Sequence, residues 1–305
     1  MTDWLEVSMS VDGEAAEATA ELLQRYGYQG VAIEQEGIMP EAWSEDEVPP
    51  AARLTVRAYL PVDPELEDKK ARLETALGHM SLMYPMPTPS YRNVADADWA
   101  EAWKAHYHPV RLGRHILIRP LWIQVKALAD DVVIALDPGM AFGTGTHPTT
   151  HLCLEALEDL TPVGGQVLDL GCGSGILAIA AAKFGAAFVL AVDNDPIAVE
   201  ATDENKEVNH VGDKISAEVG SLDTVLASGA LFDLVAANLI ARVILAMSEH
   251  GLGQIVRPGG IAVFSGIIQE QVPDIEVALR KTGLEPYKRR TMGDWVAIEA
   301  RRPTA

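Results

Sequence analysis

Alternating and helical hydrophobic patterns divide the first part of the chain into six elements. Apolar residues at every second position predict strands, and apolar residues three or four apart predict helices. The order is strand, helix, strand, strand, helix, strand, which predicts a small α+β domain of the ferredoxin-like type over residues 1–94. The predicted strands are residues 4–9, 30–36, 53–60 and 88–94, and the predicted helices are 14–26 and 64–83.

Residues 95–136 read as a linker made of a helix and a hairpin. Over residues 96–108, Trp99 and Trp103 lie four positions apart and therefore on one helical face. We interpret this segment as a connecting helix held by aromatic packing. The two predicted strands of the hairpin are His115–Pro120 and Val132–Leu136.

From residue 137 to 305, short apolar runs alternate with helical patterns. This alternation predicts an α/β domain of the Rossmann-like type, with a mostly parallel seven-stranded sheet and one antiparallel strand in a terminal hairpin. The predicted strands include residues 167–170, 188–193, 214–219, 232–238, 261–265, 286–291 and 295–300, and the predicted helices are 148–157, 176–184, 196–209, 241–256 and 269–282.

Three glycines follow the first strand of this domain. Gly171, Gly173 and Gly175 stand directly after Asp169-Leu170 and before a helical run. Glycine lets a ligand lie against bare backbone, and a helix N-terminus favours an anion. The G-x-G-x-G spacing differs from the dinucleotide G-x-G-x-x-G, and no P-loop Gly-Lys-Ser/Thr follows. The alternative is a turn that only packs a helix on the sheet.

Two polar residues end buried strands of this domain. Asp193 closes the strand after the glycine turn, about 20 residues on, where nucleotide-binding folds place a carboxylate against ribose. Asn238 closes a later strand, and a buried amide at that position needs hydrogen-bond partners. Both residues are therefore candidates for the edge of the sheet where α/β folds bind ligands.

A second glycine-rich loop precedes the glycine turn. It reads Asp137-Pro-Gly-Met-Ala-Phe-Gly-Thr-Gly-Thr-His-Pro-Thr-Thr150. Thr146 or His147 is expected to cap the helix that begins with Pro148. We expect the loop to close over a ligand bound at the glycine turn.

The charge of the chain restricts its partners. The 305 residues carry 24 Lys and Arg against 44 Asp and Glu, a net charge of −20, which argues against nucleic acid as a direct ligand. Residues 1–90 hold 6 basic and 17 acidic side chains, a net charge of −11. This domain suits a basic macromolecular partner, although a dimerisation domain or a merely attached domain remains open.

Cysteine content and hydropathy restrict further which class of protein this chain belongs to. Two cysteines, Cys153 and Cys172, form neither a disulfide framework nor a metal cluster, so no metal is expected. No uninterrupted apolar run reaches membrane-spanning length, and residues 1–4 do not open a signal peptide. We expect a cytoplasmic protein without membrane contact and, in solution, a monomer.

Several segments together resemble the ribosomal protein L11 methyltransferase family (PrmA). The resemblance implies an S-adenosylmethionine-dependent, class I protein methyltransferase that methylates lysine side chains and the N-terminal α-amine of that basic ribosomal protein. One departure is Asn238-Leu-Ile-Ala241, where the family usually has Asn-Ile-Leu-Ala. The matching segments are Asp98–Lys104, Asp137–Thr150, Val167–Gly175, Val192–Pro196, Ala237–Ala241 and Gly293–Val296.

Catalytic roles follow as hypotheses. Asn238 and the backbone carbonyls after it would hold the substrate amine along the methyl axis. His147 is a candidate proton relay, with a helix-capping or structural role as the alternative.

Cofactor-binding roles follow in the same way. Thr144 or Thr146 would hold the methionine end, Asp193 the ribose, and Ser221 or Leu222 would flank the adenine. Asp169 would orient the methionyl ammonium. The three residues expected beneath the cofactor are Gly171, Gly173 and Gly175.

Three other functions stay open. The nearest alternative is methylation of a different lysine-rich protein. An alternative of another class is a nicotinamide-dependent oxidoreductase. An inactive binding protein with the same fold is the third.

Overall fold

The computed structural model describes residues 4–12, 15, 19–20, 22–23, 26, 31–35, 54–81, 86–94, 108–136, 145 and 147–304. The chain divides into two compact units, Met1–Tyr107 and His108–Ala305. Several predicted features lie outside the described residues: most of helix 14–26, the predicted connecting helix up to residue 107 with Trp99 and Trp103, residues 137–144 with Thr144, and Thr146.

The first unit contains a four-stranded antiparallel sheet. Alternate residues of its first strand, such as Val7 and Met9, are buried against helical residues such as Leu73. The sheet order β2-β3-β1-β4 and the helical residues on the connections match the predicted ferredoxin-like arrangement. Its elements are β1 (Trp4–Val11), β2 (Val31–Gln35), β3 (Leu54–Pro61), α1 (Leu66–Ser81) and β4 (Ser90–Val94).

The second unit begins with a three-stranded sheet that corrects one prediction. Strands β5 (Val110–Leu112), β6 (Ile116–Pro120) and β7 (Val132–Leu136) lie in the order β5-β6-β7. The predicted hairpin between β6 and β7 is wrong, because these two strands are parallel. Residues 121–131 carry the chain back to the start of β6, a connection too long for a tight hairpin. The antiparallel partner of β6 is β5.

A seven-stranded sheet forms the centre of the second unit. Its order is β10-β9-β8-β11-β12-β14-β13, and β14 runs antiparallel to both of its neighbours, whereas the other neighbouring pairs are parallel. The mostly parallel Rossmann-like sheet is therefore confirmed. The strands are β8 (Gln166–Leu170), β9 (Phe188–Asp193), β10 (Ile215–Val219), β11 (Phe232–Asn238), β12 (Val256–Ile268), β13 (Glu285–Met292) and β14 (Trp295–Arg301).

Helices cover both faces of this sheet, with some bounds that differ from the prediction. The predicted helix 241–256 ends at Glu249, because Gly251 adopts a φ of +93° before a short 3₁₀ turn. The strand predicted over residues 261–265 is longer, because β12 spans Val256–Ile268. The helices are α2 (Pro148–Leu160), α3 (Ile176–Lys183), α4 (Pro196–Val208), α5 (Leu222–Ser228), α6 (Ala241–Glu249) and α7 (Val272–Lys281).

Buried strands place the polar candidates at one edge of the sheet. Val167 and Leu168 point to opposite faces and join two separate apolar cores. Because β8, β9 and β11 are parallel neighbours, their carboxyl ends meet at the same edge. Asp169, Asp193 and Asn238 therefore lie along that edge.

Candidate functional site

The turn between β8 and α3 depends on glycine. Gly171, Gly173 and Gly175 have φ angles of +80°, +54° and +76°, a region that side chains rarely adopt. A Cβ on Gly175 would lie 2.8 Å from Thr202 Cγ2, so the turn also packs closely on α4. The Gly171 amide donates to the Val192 carbonyl at 2.8 Å, which joins the turn to β9. The turn is thus a fixed, glycine-rich stretch of backbone at the edge of the sheet.

Asp193 is bound to the glycine turn. Its Oδ2 accepts a hydrogen bond from the Gly173 amide at 3.0 Å, and its Oδ1 accepts one from the Asp195 amide at 3.0 Å. A carboxylate oxygen can accept more than one hydrogen bond. The half-buried carboxylate is therefore held in place and still has lone pairs for hydroxyl donors.

Asp169 is the most buried acid of the group. Its side chain is 1% exposed, and Oδ2 accepts the Ala178 amide at 2.9 Å. Oδ1 is buried without a hydrogen-bond partner among the described residues. Burial raises the pKa of this carboxyl to about 7, opposed by the Ala178 amide and reinforced by the charge of Asp193. An acceptor of this kind fits a ligand that brings a positively charged donor.

Ser221 lies beside Asp193 at the start of α5. The Gly220 amide donates to the Asp193 carbonyl at 2.8 Å, and the Ser221 amide donates to Thr224 Oγ1 at 2.9 Å. Leu222 is 3% exposed and packs in the core, so its side chain does not face the site. Val219, paired with Asp193 across the sheet, is 56% exposed and offers an apolar surface instead.

Asn238 is oriented by a helix rather than by its own sheet. It is half-buried instead of fully buried, and its Nδ2 donates to Thr150 Oγ1 at 3.2 Å. Thr150 is 1% exposed in the first turn of α2. Sequence reasoning does not single out Thr150, although its place on the buried face of an amphipathic helix is a usable signal. The amide is thus held by a buried hydroxyl.

His147 caps α2, in agreement with one of the two roles predicted for it. Its Nδ1 accepts the Thr149 amide at 3.3 Å and lies 2.8 Å from Thr149 Oγ1, with Pro148 at the first helical position. The ring meets Trp295 edge-on with 5.0 Å between centroids. These contacts account for a structural role, while the proton-relay role stays a prediction.

His151 holds the end of the loop before α2. Its Nε2 lies 2.7 Å from the Gly145 carbonyl, and burial lowers the pKa of the ring below its usual range. A neutral ring that donates from Nε2 is the form that fits this contact. Gly145 has a φ of +85°, and a Cβ there would lie 2.7 Å from Ile118 Cδ1. The loop end is therefore fixed from two sides.

A polar stripe on α4 connects the glycine turn with β7. Asn205 Nδ2 donates to the Ser174 carbonyl at 2.9 Å, and Thr202 Oγ1 donates to the Gly173 carbonyl at 3.0 Å. Asn209 accepts the Ala135 amide at 2.9 Å and donates to the carbonyl of the same residue at 2.6 Å. The strand that leads into the loop is thereby tied to the helix that supports the turn.

The structure gathers most predicted site residues into two groups. Asp193 bonds the glycine turn and the segment before Ser221, while Asp169 lies under the same turn. His147 and Asn238 both contact the first turn of α2, one through its cap and one through Thr150. The positions of Thr144 and Thr146 lie outside the described residues.

The described residues hold neither a candidate metal centre nor a candidate membrane span. Within those ranges, no group of three His, Cys, Asp or Glu side chains is arranged to hold a metal ion. Among the same residues, no helix has both the length and the hydropathy needed to span a bilayer.

Comparison with known proteins gives the family. A sequence model described as "Ribosomal protein L11 methyltransferase (PrmA)" matches residues 3–303. This chain belongs to the ribosomal protein L11 methyltransferase family. A relative of that name from Chloroflexus aurantiacus is 43% identical over 99% of both chains. Another from Herpetosiphon aurantiacus is 42% identical over 98% of this chain and 99% of its own.

A solved structure supports the same membership. The crystal structure of a ribosomal protein L11 methylase from Lactobacillus delbrueckii subsp. bulgaricus is 34% identical, with a TM-score of 0.59 over 65% of this chain and 100% of its own. The predicted family and the predicted methyltransferase class are confirmed. Membership of the L11 methyltransferase family does not favour the oxidoreductase alternative.

Proposed function

We propose that this chain transfers methyl groups from S-adenosylmethionine to ribosomal protein L11, on lysine side chains and on the N-terminal α-amine. The relatives carry the name of that substrate. The observation that carries the proposal is the glycine turn bonded to Asp193, with the buried Asp169 oxygen beneath it that has no partner among the described residues.

The residues at the turn fit each part of the cofactor. Backbone at Gly171, Gly173 and Gly175 would lie beneath it, in a turn whose three positive φ angles require glycine. The free lone pairs of Asp193 would accept hydrogen bonds from the ribose hydroxyls, and Ser221 and Val219 would flank the adenine. The Asp169 carboxylate balances the methionyl ammonium, which would donate to Oδ1. When bound, the cofactor supplies a methyl group on a sulfonium.

The amine must be neutral before it attacks. A lysine with a pKa of about 10.4 needs about 4.6 kcal/mol to reach its neutral form at pH 7, whereas an α-amine near pKa 8 needs about 1.4 kcal/mol. A partly desolvated site lowers the pKa of the amine and reduces this cost. The lysine reaction therefore depends on the site more strongly than the α-amine reaction does.

Asn238 and the carbonyl of Leu239 aim the neutral nitrogen. A neutral primary amine has two N–H donors and one lone pair. If the Asn238 amide oxygen and the Leu239 carbonyl each accept one N–H, the lone pair is directed at the methyl carbon. The bond between Asn238 Nδ2 and Thr150 supports this assignment, because it turns the amide oxygen away from the hydroxyl. Orientation of this kind supplies much of the rate gain in transfer reactions.

A proton relay through His147 would need a ring nitrogen with a free lone pair. Nδ1 accepts the Thr149 amide in the helix cap, so the neutral ring carries its proton on Nε2 and has no free lone pair for the proton of the amine. The capping role alone is sufficient to explain the contacts of the ring. Loss of the lysine proton to solvent before the amine enters the site is the simpler route.

The acidic first unit recruits the basic substrate. Its net charge of −11 over residues 1–90 attracts a lysine-rich protein, and the overall charge of −20 disfavours nucleic acid. We assign residues 1–94 to substrate recognition, 95–136 to the linker and 137–305 to catalysis. We assign the protein to the cytoplasm, as a monomer.

Methyl transfer to purified L11 is the direct test. The full chain is incubated with methyl-labelled S-adenosylmethionine and L11, and mass spectrometry locates the modified amines. Label on lysines and the α-amine supports the proposal. The matched variant Asn238→Ala is expected to bind cofactor without transferring the methyl group. Label that enters other proteins of a lysate but not L11 contradicts the substrate assignment, and binding of a nicotinamide cofactor instead contradicts the reaction.

A further inference from the structure

The chain directly after Asn238 rests on the backbone of a neighbouring strand. The Leu239 amide donates to the Ser265 carbonyl at 3.0 Å. Gly266, the next residue of β12, has a φ of +86°, and a Cβ there would lie 2.3 Å from the Leu239 carbonyl oxygen and 2.7 Å from its carbon. Real Cβ atoms do not approach a backbone so closely. Only glycine at position 266 allows the Leu239 peptide to occupy its present place.

The side chain of Leu239 is confined on its other side by the glycine turn. A Cβ on Gly171 would lie 2.5 Å from Leu239 Cδ2. The peptide of Leu239 therefore meets β12 while its side chain meets the turn on which the cofactor is proposed to lie. Leu239 therefore connects β12, which its peptide contacts, with the proposed cofactor surface, which its side chain contacts.

We infer that Gly266 is a positioning residue for methyl transfer, because it sets the place of the Leu239 carbonyl that accepts one N–H of the amine. The inference rests on the proposed function. With the Leu239 carbonyl and Asn238 both fixed, the nitrogen lone pair has one orientation. A methyl group at position 266 forces the carbonyl or β12 to move, and the lone pair then no longer points at the methyl carbon. A displacement of about 1 Å costs on the order of 100-fold in rate.

A second glycine of this chain separates this effect from simple backbone strain. Gly283 has a φ of +85°, almost the same as Gly266, but a Cβ there meets nothing within 4 Å. Gly283 follows α7, and nothing in the proposed site uses it. Gly266→Ala and Gly283→Ala therefore carry a similar conformational penalty, and only the first displaces the Leu239 peptide.

The experiment compares the two variants in the full-length protein. It measures kcat and KM with L11, the Kd of S-adenosylmethionine by calorimetry, the pH profile and the melting temperature. We expect a kcat lowered about 10- to 100-fold in Gly266→Ala alone, and a cofactor Kd within about twofold of wild type in both variants. The apparent pKa of the pH profile is expected to stay unchanged, because positioning does not alter the proton acceptor.

Several outcomes would overturn the inference. Equal kcat values in the two variants would show that Gly266 matters only for folding. A kcat that falls only in proportion to cofactor affinity would place its effect on binding. If Gly266→Ala does not fold, a crystal structure of the wild-type chain with S-adenosylmethionine replaces it, and a Leu239 carbonyl oxygen that does not face the space beside the methyl carbon would contradict the inference. A wild-type protein that methylates nothing refutes the proposed function instead.

Discussion

Asn238 and Thr150 are joined by a hydrogen bond although 88 positions separate them in the chain. The amide ends β11 and the hydroxyl lies in the first turn of α2, so the helix orients a group at the edge of the sheet. The 3.2 Å contact from Nδ2 to Oγ1 decides which end of the amide faces away from the helix. In the proposed mechanism, this arrangement would give the substrate nitrogen an acceptor with a fixed direction.

Thr150→Val keeps the shape of the side chain and removes the hydroxyl. Without its partner, the Asn238 amide can rotate, and we expect kcat/KM with L11 to fall about tenfold or more. Steady-state kinetics provides the measurement. Thr161→Val, at the other end of α2, is the control, because its hydroxyl donates to the Leu157 carbonyl far from Asn238. Equal activity of both variants would exclude a role for Thr150 in orienting the amide.

Asp169 couples stability to pH. Its pKa is about 7 in the folded protein and about 3.9 in an unfolded chain, so the folded state binds more protons between these values. Stability is therefore expected to fall as the pH rises from about 4 to 7, and the penalty is complete above about pH 7. Asp169→Asn should be more stable than wild type at pH 8, by a few kcal/mol, and not at pH 4. Urea unfolding at both pH values measures the difference.

The same substitution is expected to weaken cofactor binding. Asp169→Asn keeps the size of the side chain but leaves the methionyl ammonium without a counter-ion, so the Kd of S-adenosylmethionine should rise about tenfold or more at pH 8. Calorimetry with the purified variant measures this Kd, and wild type at the same pH is the reference. A variant that gains stability at pH 8 yet binds the cofactor with unchanged affinity would contradict the role of Asp169.

Asn209 anchors the strand that leads into the loop before α2. Asn209→Ala leaves the Ala135 amide and carbonyl without their side-chain partner, and we expect a loss of about 2–4 kcal/mol in the free energy of unfolding. Urea denaturation measures it. The exposed Asn93 is the control position, where Asn93→Ala should change stability by less than about 0.5 kcal/mol. Similar losses of stability in both variants would show that the two hydrogen bonds between the Asn209 side chain and Ala135 do not stabilise the fold.

His210 occupies a backbone conformation that suits glycine. Its φ is +57°, just after α4, where a helix commonly ends in a left-handed residue. His210→Gly removes the strain but adds chain entropy to the unfolded state, so we expect a net gain of about 0.5–1 kcal/mol in a thermal unfolding experiment. His250→Gly is the opposite case and should lower the stability, because His250 has a φ of −106° and its Nδ1 lies within hydrogen-bond distance of the Ala246 carbonyl. A loss of stability in His210→Gly would refute the argument.

The sequence predicts the elements whose signals are local. The strand, glycine turn and helix around Gly171 follow from an apolar run, three glycines and an uninterrupted helical pattern. The acid at position 193 follows from its distance along the chain. These features depend on neighbours within a few residues, which is why they can be recognised without coordinates.

The sequence predictions are incomplete or wrong for features that depend on contacts between residues far apart in the chain. The parallel pairing of β6 and β7 depends on how residues 121–131 return, and α5 is only seven residues long, too short for a clear helical period. The contact between Asn238 and Thr150 joins two elements through tertiary packing. The contact of Leu239 with Gly266 likewise has no sequence signature, since a glycine in a strand predicts only an irregularity.

The most direct test is a crystal structure of the full chain with S-adenosylmethionine. We predict the cofactor over Gly171, Gly173 and Gly175, with its ribose on Asp193 and its ammonium within hydrogen-bond distance of Asp169 Oδ1. The methyl carbon should face Asn238 and the Leu239 carbonyl. A cofactor bound elsewhere, or a methyl group that points away from Asn238, would contradict the central claim.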